Sequence, residues 1–404
     1  MAIIHPFKAW RPRPEKLNEV ACVPYDVINT EEARELAGGK PDSFLHVIRP
    51  EIDLPAGTPY NDDAVYEKGA KNLAQILDSD LMTQEEEEAV YIYRLIWNGR
   101  PQTGLFTCVS VEDYDNEVIL KHELTRPNKE DDRTRHILTQ SAHAEPVMIT
   151  FKDTEEISEQ IDQQMEANDP IYDFTADDGI QHTIWKVSDP EPFVNAFGNI
   201  PRLYIADGHH RCKSASRAAE EMKKVNAATH TGDKEYNFFP AVLFPMDEME
   251  ILAYNRIVYS VPENFLSALQ EEFDLSEGAN PKPSQKGAIS LYIDGSWYGM
   301  KLPEIPDANS VEKLDVHRLQ KSILEPMLDI TDQRRDENIS FVGGIRGTEE
   351  LEKLVDSGEA DLAISMYPTD IRELVEVSDE GLLMPPKSTW FEPKLRSGLL
   401  IHTF

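Results

Sequence analysis

The sequence predicts a mixed α/β protein in which strands and helices alternate along most of its 404 residues. Short apolar runs have the length and content of buried strands. The longer segments between them are typical of helices, and turn residues separate the two kinds of element. The chain is also longer than one average domain and long enough for two or three. We therefore expect an α/β (mixed α+β) fold with more than one compact part.

The elements follow in chain order from these patterns. The apolar runs predict strands at 44–48, 90–96, 104–109, 147–151, 182–187, 203–206, 239–244, 251–259, 339–342 and 362–366. The helical segments are 31–36, 62–77, 130–140, 156–166, 212–226, 263–272, 311–324 and 349–355. Segments 288–293 and 297–302 flank Asp294-Gly295-Ser296, a turn sequence that predicts a hairpin.

A change of composition suggests where the chain divides. From Ser276 onward it becomes loop-like and contains Pro281, Pro283 and Gly287. We therefore predict a main α/β domain over residues 1–275 and a C-terminal α/β region over 276–404. The alternative is that the C-terminal region packs on the main domain as a lid.

The charge and the cysteine usage limit the possible partners. The formal net charge of −34 opposes a large nucleic-acid surface, which needs clustered Lys and Arg, and it opposes binding to anionic membranes. The three cysteines have no CxxC spacing, so a disulfide framework is not expected. No apolar run approaches the length of a membrane span. We expect a cytoplasmic protein with a small-molecule partner, and the sequence gives no indication of its oligomeric state.

The most informative motif is Asp207-Gly208-His209-His210-Arg211, between the predicted strand 203–206 and the predicted helix 212–226. A helix N-terminus offers unpaired N–H groups to phosphate, and a glycine lets a ligand approach the backbone. The aspartate can hold a metal ion or accept a proton, and the arginine can bind phosphate with two parallel hydrogen bonds. The motif predicts a phosphate or nucleotide site. The alternative is an Asp N-cap followed by a solvated helical turn.

A second charged motif, His122-Glu123, follows the apolar run 118–120. It places an acid–base pair at a strand end, where ligands gather in open α/β sheets. Arg126, Lys129 and Arg133 follow and can contact phosphate. A solvated turn with alternating charges is the alternative.

Two further segments carry side chains suited to a site. Lys387, Ser388 and Thr389 are phosphate-binding residue types, although no glycine-rich Walker pattern precedes them, and a proline-stiffened loop is the alternative. Together with Lys394 they either complete a site or cap the fold. Segment 24–32 reads as a turn and a capped helix, in which Tyr25 and Asp26 could line a pocket.

Zinc is not favoured at this site. A metal triad from His122, His209 and His210 is conceivable. The last two are adjacent, and neighbouring side chains rarely converge on one tetrahedral ion.

Four motifs in this order (24–27, 121–126, 204–211 and 384–389) resemble a large prokaryotic family known as domain of unknown function 1015. The resemblance covers essentially the whole chain. More distantly, the Asp207–Arg211 motif is similar to the phosphate loop of the ParB/sulfiredoxin superfamily. Free-serine kinases of that superfamily carry a His-Glu pair upstream of an Asp-Gly-His-x-Arg loop, with a helix and a strand between. The same order occurs here, with 152–201 as an insertion.

This resemblance implies a ParB/sulfiredoxin-like core with large insertions and a C-terminal α/β extension. It implies transfer of phosphate from ATP or ADP, with Mg²⁺, to a hydroxyl group, namely that of free L-serine. Sulfiredoxins fit less well, because they carry a cysteine inside the loop at the position of His209. DNA-binding relatives also fit less well with the acidic balance.

The resemblance also implies a role for each site residue. Glu123 is the general base, His122 orients it, Asp207 binds Mg²⁺ or orients the hydroxyl, and His210 and Arg211 neutralise developing charge. The expected nucleotide-binding residues are Gly208, His209, Arg211, Arg126, Lys387, Ser388 and Thr389. Two alternatives stay open: a nucleotide hydrolase or switch, and a non-catalytic protein that binds a nucleotide or a phosphorylated metabolite.

Overall fold

The computed structural model describes all 404 residues, and they divide into two compact units. The first unit comprises Met1–Lys121, Thr125–Met249 and Pro393–Phe404. The second comprises Glu250–Glu392 and the short segment His122–Leu124. Each unit contains a sheet and helices, which confirms the predicted mixed α/β class.

The chain contains 21 strands. They are β1 (Ile4–His5), β2 (Trp10–Pro12), β3 (Met82–Gln84), β4 (Val90–Trp97), β5 (Arg100–Ser110), β6 (Ile119–Leu120), β7 (Ala142–His143), β8 (Val147–Phe151), β9 (Tyr172–Thr175), β10 (Gln181–Val187), β11 (Leu203–Asp207), β12 (Phe238–Pro245), β13 (Glu250–Leu252), β14 (Tyr254–Val258), β15 (Ser276–Glu277), β16 (Ala288–Ile293), β17 (Ser296–Lys301), β18 (Ile339–Gly343), β19 (Leu362–Met366), β20 (Trp390–Glu392) and β21 (His402–Thr403).

The chain also contains 14 α-helices. They are α1 (Leu17–Val20), α2 (Thr30–Ala37), α3 (Leu45–Ile48), α4 (Asp63–Leu77), α5 (Val111–Asp115), α6 (Pro127–Gln140), α7 (Glu155–Ala167), α8 (Glu191–Phe197), α9 (His209–Val225), α10 (Phe265–Glu272), α11 (Asp315–Leu319), α12 (Glu325–Leu328), α13 (Glu349–Asp356) and α14 (Ile371–Asp379). No helix is both long enough and apolar enough to cross a membrane.

The first unit is organised around a nine-stranded mixed sheet. Its strand order is β6-β11-β8-β12-β5-β4-β10-β9, and β1 pairs with β5. β11 runs parallel to β6 and β8 runs parallel to β12, whereas the other neighbours are antiparallel. All eight residues of β12 are buried, as expected of a central strand covered on both faces.

Helices α8 and α9 contribute to the core of the first unit. Phe193 and Phe197 of α8 and Ala215 and Ala219 of α9 lie in one buried cluster with residues of the central strands. Complete burial of a Phe side chain is worth about 2–3 kcal/mol. The small alanines allow α9 to lie close to the sheet, and this packing fixes the N-terminus of α9 at the end of β11.

The second unit contains a six-stranded antiparallel sheet of order β15-β17-β16-β19-β14-β18. The predicted hairpin is confirmed as β16 and β17. Asp294 and Gly295, with φ of 52° and 74°, form its two-residue turn. Positive φ at both central residues is typical of the type I′ turn that Asp-Gly favours.

The division between the units differs from the boundary predicted at residue 275. The second unit begins at Glu250, because β14 pairs with both β18 and β19 of its sheet. The chain also returns to the first unit at Pro393. These pairings join strands that are far apart in sequence, so a change in local composition does not mark them.

The strand predicted at 44–48 is wrong, because Leu45–Ile48 form the short helix α3. Leu45, Val47 and Ile48 are all buried. A short, fully buried apolar run shows no periodicity that separates a helix from a strand. The strand predicted at 251–259 is interrupted at Ala253, where the chain passes from β13, which pairs with β20, to β14. The helix predicted from residue 311 begins only at Asp315.

The last twelve residues of the chain, Pro393–Phe404, belong to the first unit. Ser397 pairs with Cys22 and Ile401 with Trp10 through backbone bridges, and β21 pairs with β7. All residues from Leu395 to His402 are buried. The C-terminal segment is therefore an integral part of this unit. The three cysteines are buried and unpaired.

Glu235 links the two chain ends in the first unit. Its carboxylate accepts hydrogen bonds from His402 Nε2 at 2.8 Å and His5 Nε2 at 3.2 Å. Burial opposes ionisation of Glu235, but these two imidazoles outweigh it and lower its pKa to about 2. Burial also lowers the pKa of His402, so its neutral ring donates the N–H. The carboxylate thus ties β1 to β21.

Glu235→Gln is expected to lower the free energy of unfolding by about 1 kcal/mol near pH 7, the typical net value of a hydrogen bond. Because the folded pKa lies below the ordinary 4.5, this stabilisation is complete above pH 4.5 and is lost as the pH falls towards 2. Urea unfolding of both proteins from pH 7 to pH 3 tests this. Glu221→Gln, at an exposed carboxylate on α9, is the control. A wild-type advantage that grew towards low pH would contradict the account.

Candidate functional site

The candidate site is the junction at which strand β11 ends and helix α9 begins. Gly208 is the N-cap of α9, with φ of 103°, and its carbonyl accepts the first helical hydrogen bond from Cys212 N at 2.9 Å. The helix therefore begins at His209, earlier than the predicted start at residue 212. The charged motif forms the first helical turn, and Asp207 is not the N-cap.

Arg211 is the centre of this junction. Its Nη2 lies 3.0 Å from Oδ2 of Asp207 and 3.7 Å from Oδ2 of Asp26, and its Nη1 donates to the Pro146 carbonyl. Lys394 Nζ lies 3.7 Å from the same Asp207 oxygen. Two carboxylates and two cations therefore surround the end of β11.

The carboxylates hold Arg211 in its charged form. Burial alone would lower the pKa of Arg211, but the charges of Asp26, Asp207 and Glu145 outweigh burial and raise it. At Glu145 burial has the larger effect and raises the pKa of the carboxyl group, although the charges of Arg211 and Arg133 act to lower it. The guanidinium is thus a permanent buried cation beside three acidic side chains.

Glu145 fixes neighbouring loops to the junction. Its Oε1 accepts hydrogen bonds from the Tyr25 amide and from Ser397 Oγ, both at 3.1 Å. The Arg133 guanidinium lies 4.4 Å from the centre of the Tyr25 ring, in a cation–π contact. A cavity of about 40 Å³ is lined on its polar side by Arg133, Glu145 and Arg211.

The first turn of α9 also contacts the loop that precedes α6. The Arg126 N–H donates to Nε2 of His210 at 3.0 Å, so this nitrogen carries no proton. Arg126 is the N-cap of α6, and its own side chain is exposed. The structure thus brings together Asp207, Gly208, His209, His210, Arg211 and Arg126 in the first unit.

The other predicted site residues lie in the second unit. His122 and Glu123 occupy the turn between β6 and α6, and the His122 carbonyl accepts a hydrogen bond from Met384 N at 2.8 Å. Lys387 has φ of 56°, and Ser388 Oγ donates to the Pro385 carbonyl at 2.6 Å. The roles of His122, Glu123, Lys387, Ser388 and Thr389 stay predictions.

Buried Arg256 shapes the loop that carries Lys387. Its Nη2 donates to the Lys387 carbonyl at 3.2 Å, and its Nη1 donates to the Tyr254 carbonyl. Burial lowers the pKa of Arg256 to about 10, but the guanidinium remains charged at neutral pH. The lysine and hydroxyl groups predicted from the sequence therefore lie on a loop of defined shape.

Sequence reasoning left Asp26 and Lys394 open and missed Glu145 and Arg256 as parts of ordered clusters. Asp26 belongs to a motif whose local pattern indicates only a turn. Glu145 has no sequence pattern around it that distinguishes it from the many other acidic residues of the chain. Only the tertiary contacts reveal both carboxylates beside Arg211.

Gly208→Ala is expected to destabilise the protein by about 1–3 kcal/mol, because a non-glycine residue is strained at φ 103°. A Cβ would also lie 2.9 Å from Val147 Cγ1 and 3.0 Å from Arg211 Nε. Thermal unfolding tests this. The matched control is Gly179→Ala, since Gly179 has φ of 80° with no atom within 4 Å of its Cβ position. An equal loss in both variants would show that backbone strain accounts for the whole effect and that the contacts contribute nothing.

Fold and site together define a mixed α/β protein with a strand–glycine–helix junction that is rich in paired charges. The chain belongs to the family described as "Protein of unknown function (DUF1015)", whose model matches residues 4–317. This confirms the family predicted from the four motifs. Comparison with curated proteins gives no significant match.

Several solved structures share a distant likeness with the chain. A free serine kinase in complex with AMP is 12% identical, with a TM-score of 0.37 over 71% of this chain and 86% of that chain. A conserved hypothetical protein from Pyrococcus furiosus is 13% identical, with a TM-score of 0.36 over 71% and 90%. SbnI from Staphylococcus aureus, truncated at its C-terminus, is 12% identical, with a TM-score of 0.39 over 72% and 85%.

Proposed function

We propose that this protein is a small-molecule kinase that transfers a phosphoryl group from ATP or ADP to a hydroxyl group. The observation that carries the proposal is the position of Arg211, a buried guanidinium that contacts Asp207 and Asp26 at the start of α9. A helix N-terminus with a glycine cap and a fixed cation suits phosphate. Paired carboxylates beside it suit the Mg²⁺ that accompanies nucleotides.

The donor set at the junction fits magnesium. Mg²⁺ binds through one or two carboxylates together with phosphate oxygens and water. Asp207 and Asp26 both contact the same nitrogen of Arg211, so their oxygens face one small volume. In this proposal Asp207 is a metal ligand, with Asp26 as a second carboxylate. The ion would neutralise negative charge on the phosphates.

The residues of the first turn bind the nucleotide phosphates. The phosphates lie over the turn at Gly208, where the amides of His209 and His210 begin the helix, and the Arg126 side chain approaches from the neighbouring loop. Arg211 stabilises the charge that develops on the phosphoryl group. We assign Lys387, Ser388 and Thr389 to nucleotide binding as well, on the basis of their residue types alone.

Glu123 is the general base in this proposal, oriented by His122. The acceptor oxygen attacks the terminal phosphorus and forms the new P–O bond, while the bond from phosphorus to the bridging oxygen breaks. The hydroxyl proton passes to the Glu123 carboxylate, and the bridging oxygen leaves with the nucleotide. Glu123 is three residues from Arg126, so the chain keeps it within about 11 Å of that residue.

We propose free L-serine as the acceptor, on the basis of the motif order shared with free-serine kinases. Such an acceptor and its nucleotide donor occur together in the cytoplasm, where we place the protein. Neither a nucleic acid nor a membrane takes part in the reaction.

Nucleotide consumption with and without an acceptor tests the proposal. Purified protein is incubated with Mg²⁺ and either ATP or ADP, in the presence or absence of serine and other hydroxylated amino acids, and the nucleotides are separated by chromatography. We expect consumption that depends on an acceptor. Consumption without an acceptor would favour a hydrolase instead, and binding without consumption would favour a non-catalytic protein.

A further inference from the structure

The C-terminal segment brings a lysine to the candidate site from a distant part of the chain. Lys394 Nζ lies 3.7 Å from Oδ2 of Asp207, and its side chain is only 16% exposed. The same Asp207 oxygen lies 3.0 Å from Arg211 Nη2. Lys394 and Arg211 therefore approach one carboxylate at the end of β11.

The backbone that follows Lys394 is anchored to distant segments of the first unit. Cys22 and Ser397 exchange two backbone hydrogen bonds of 3.1 and 2.9 Å. Ser397 Oγ donates to Glu145, and the Arg396 guanidinium pairs with Asp178. Arg396 and Ser397 are both buried. Lys394 lies two residues before the first of these fixed points, so it is held near its target at a small entropic cost.

From this geometry we infer that Lys394 is a further catalytic residue, which contacts the phosphoryl group during its transfer. The inference rests on the proposed kinase function. A phosphate placed over the Gly208 turn lies beside Asp207 and within reach of the flexible Lys394 side chain. Lysine is a compact point charge with three donors, suited to a group whose oxygens move during the reaction.

The two cations at Asp207 then have different tasks. Arg211 is buried and donates to the Pro146 carbonyl as well as to Asp207, so it is fixed and organises the junction. Lys394 makes a longer contact of 3.7 Å with the same carboxylate. Asp207 would hold Mg²⁺, which would neutralise that carboxylate, and the Lys394 ammonium would then be available to the phosphoryl oxygens.

Lys394→Met tests the inference. We expect kcat to fall about 10²–10³-fold, the usual loss when one group that stabilises transition-state charge is removed. Calorimetric titration should show weaker binding of the nucleotide donor but unchanged binding of the nucleotide product, which lacks the transferred group. Lys394→Arg keeps the charge and should recover part of kcat. Equal thermal midpoints for the three proteins establish that the fold is intact.

The matched control is Lys40→Met, because Lys40 forms a similar ion pair with Asp177 at 3.6 Å on the surface. It should leave kcat and both affinities unchanged. A Lys394→Met protein with wild-type kcat, or with equally weakened binding of donor and product, would overturn the inference and leave the kinase function standing. A wild-type protein that neither binds nor consumes a nucleotide would overturn the kinase function and the inference with it.

Discussion

Replacing Arg211 by methionine is expected to lower the free energy of unfolding by about 2–3 kcal/mol and to abolish nucleotide binding. Loss of one partner from a fully buried ion pair costs about 3–5 kcal/mol, because the remaining charge is left uncompensated. The side chains of Asp207 and Asp26 are 28% and 35% exposed, so water reduces the loss below that range. Urea unfolding at neutral pH measures the stability, and calorimetry measures the binding.

Two further variants serve as controls for Arg211→Met. Arg211→Lys keeps the charge but loses the planar arrangement of donors that reaches the carboxylates and the Pro146 carbonyl, so we expect an intermediate loss of stability. Arg217→Met removes another arginine of α9, which pairs on the surface with Glu130 and Asp131 and is 35% exposed. This change should cost no more than about 1 kcal/mol. Equal losses of stability for Arg211→Met and Arg217→Met would contradict the central structural role of Arg211.

Glu123→Gln is expected to slow phosphoryl transfer by about 10²–10⁴-fold and to leave nucleotide affinity unchanged. A hydroxyl group is a poor nucleophile at neutral pH, and an amide cannot accept its proton. Glutamine nevertheless retains the size of glutamate, so the variant tests proton transfer and not packing. Steady-state kinetics with saturating acceptor gives kcat, and calorimetry gives the affinity for the nucleotide.

The control for this variant is Glu117→Gln, which removes an exposed carboxylate from the segment that leads into β6. We expect wild-type kcat for the control. A normal rate in Glu123→Gln would exclude Glu123 as the base. A loss of nucleotide affinity comparable to the loss of kcat would show that Glu123 acts in binding.

The central part of the fold follows from local patterns. The apolar runs at β8 and β11 and the Asp294-Gly295 hairpin were predicted because their signals lie within a few residues of each other. The end of β11 and the charged turn after it were predicted for the same reason. The prediction at 44–48 was wrong because the apolar residues of this run are all buried, so their spacing does not distinguish the helix α3 from a strand.

The composition of the candidate site was less predictable than its position. Asp207 and Arg211 are neighbours in sequence, and the motif indicates their contact directly. Lys394, Asp26 and Glu145 reach the same junction only through strand pairing and backbone bridges formed by remote segments. The boundary near Glu250 could not be predicted for the same reason, because β14 pairs with β18 and β19, which lie far along the chain.

Phosphorus NMR of the reaction products tests the proposed kinase activity most directly. The wild-type protein and Glu123→Gln are incubated with Mg²⁺, ATP or ADP, and serine within a pool of hydroxylated amino acids. The account predicts a new phosphomonoester signal that grows with wild-type protein and is absent or strongly reduced with the variant. Inorganic phosphate as the sole new product, or no new signal with either nucleotide, would contradict it.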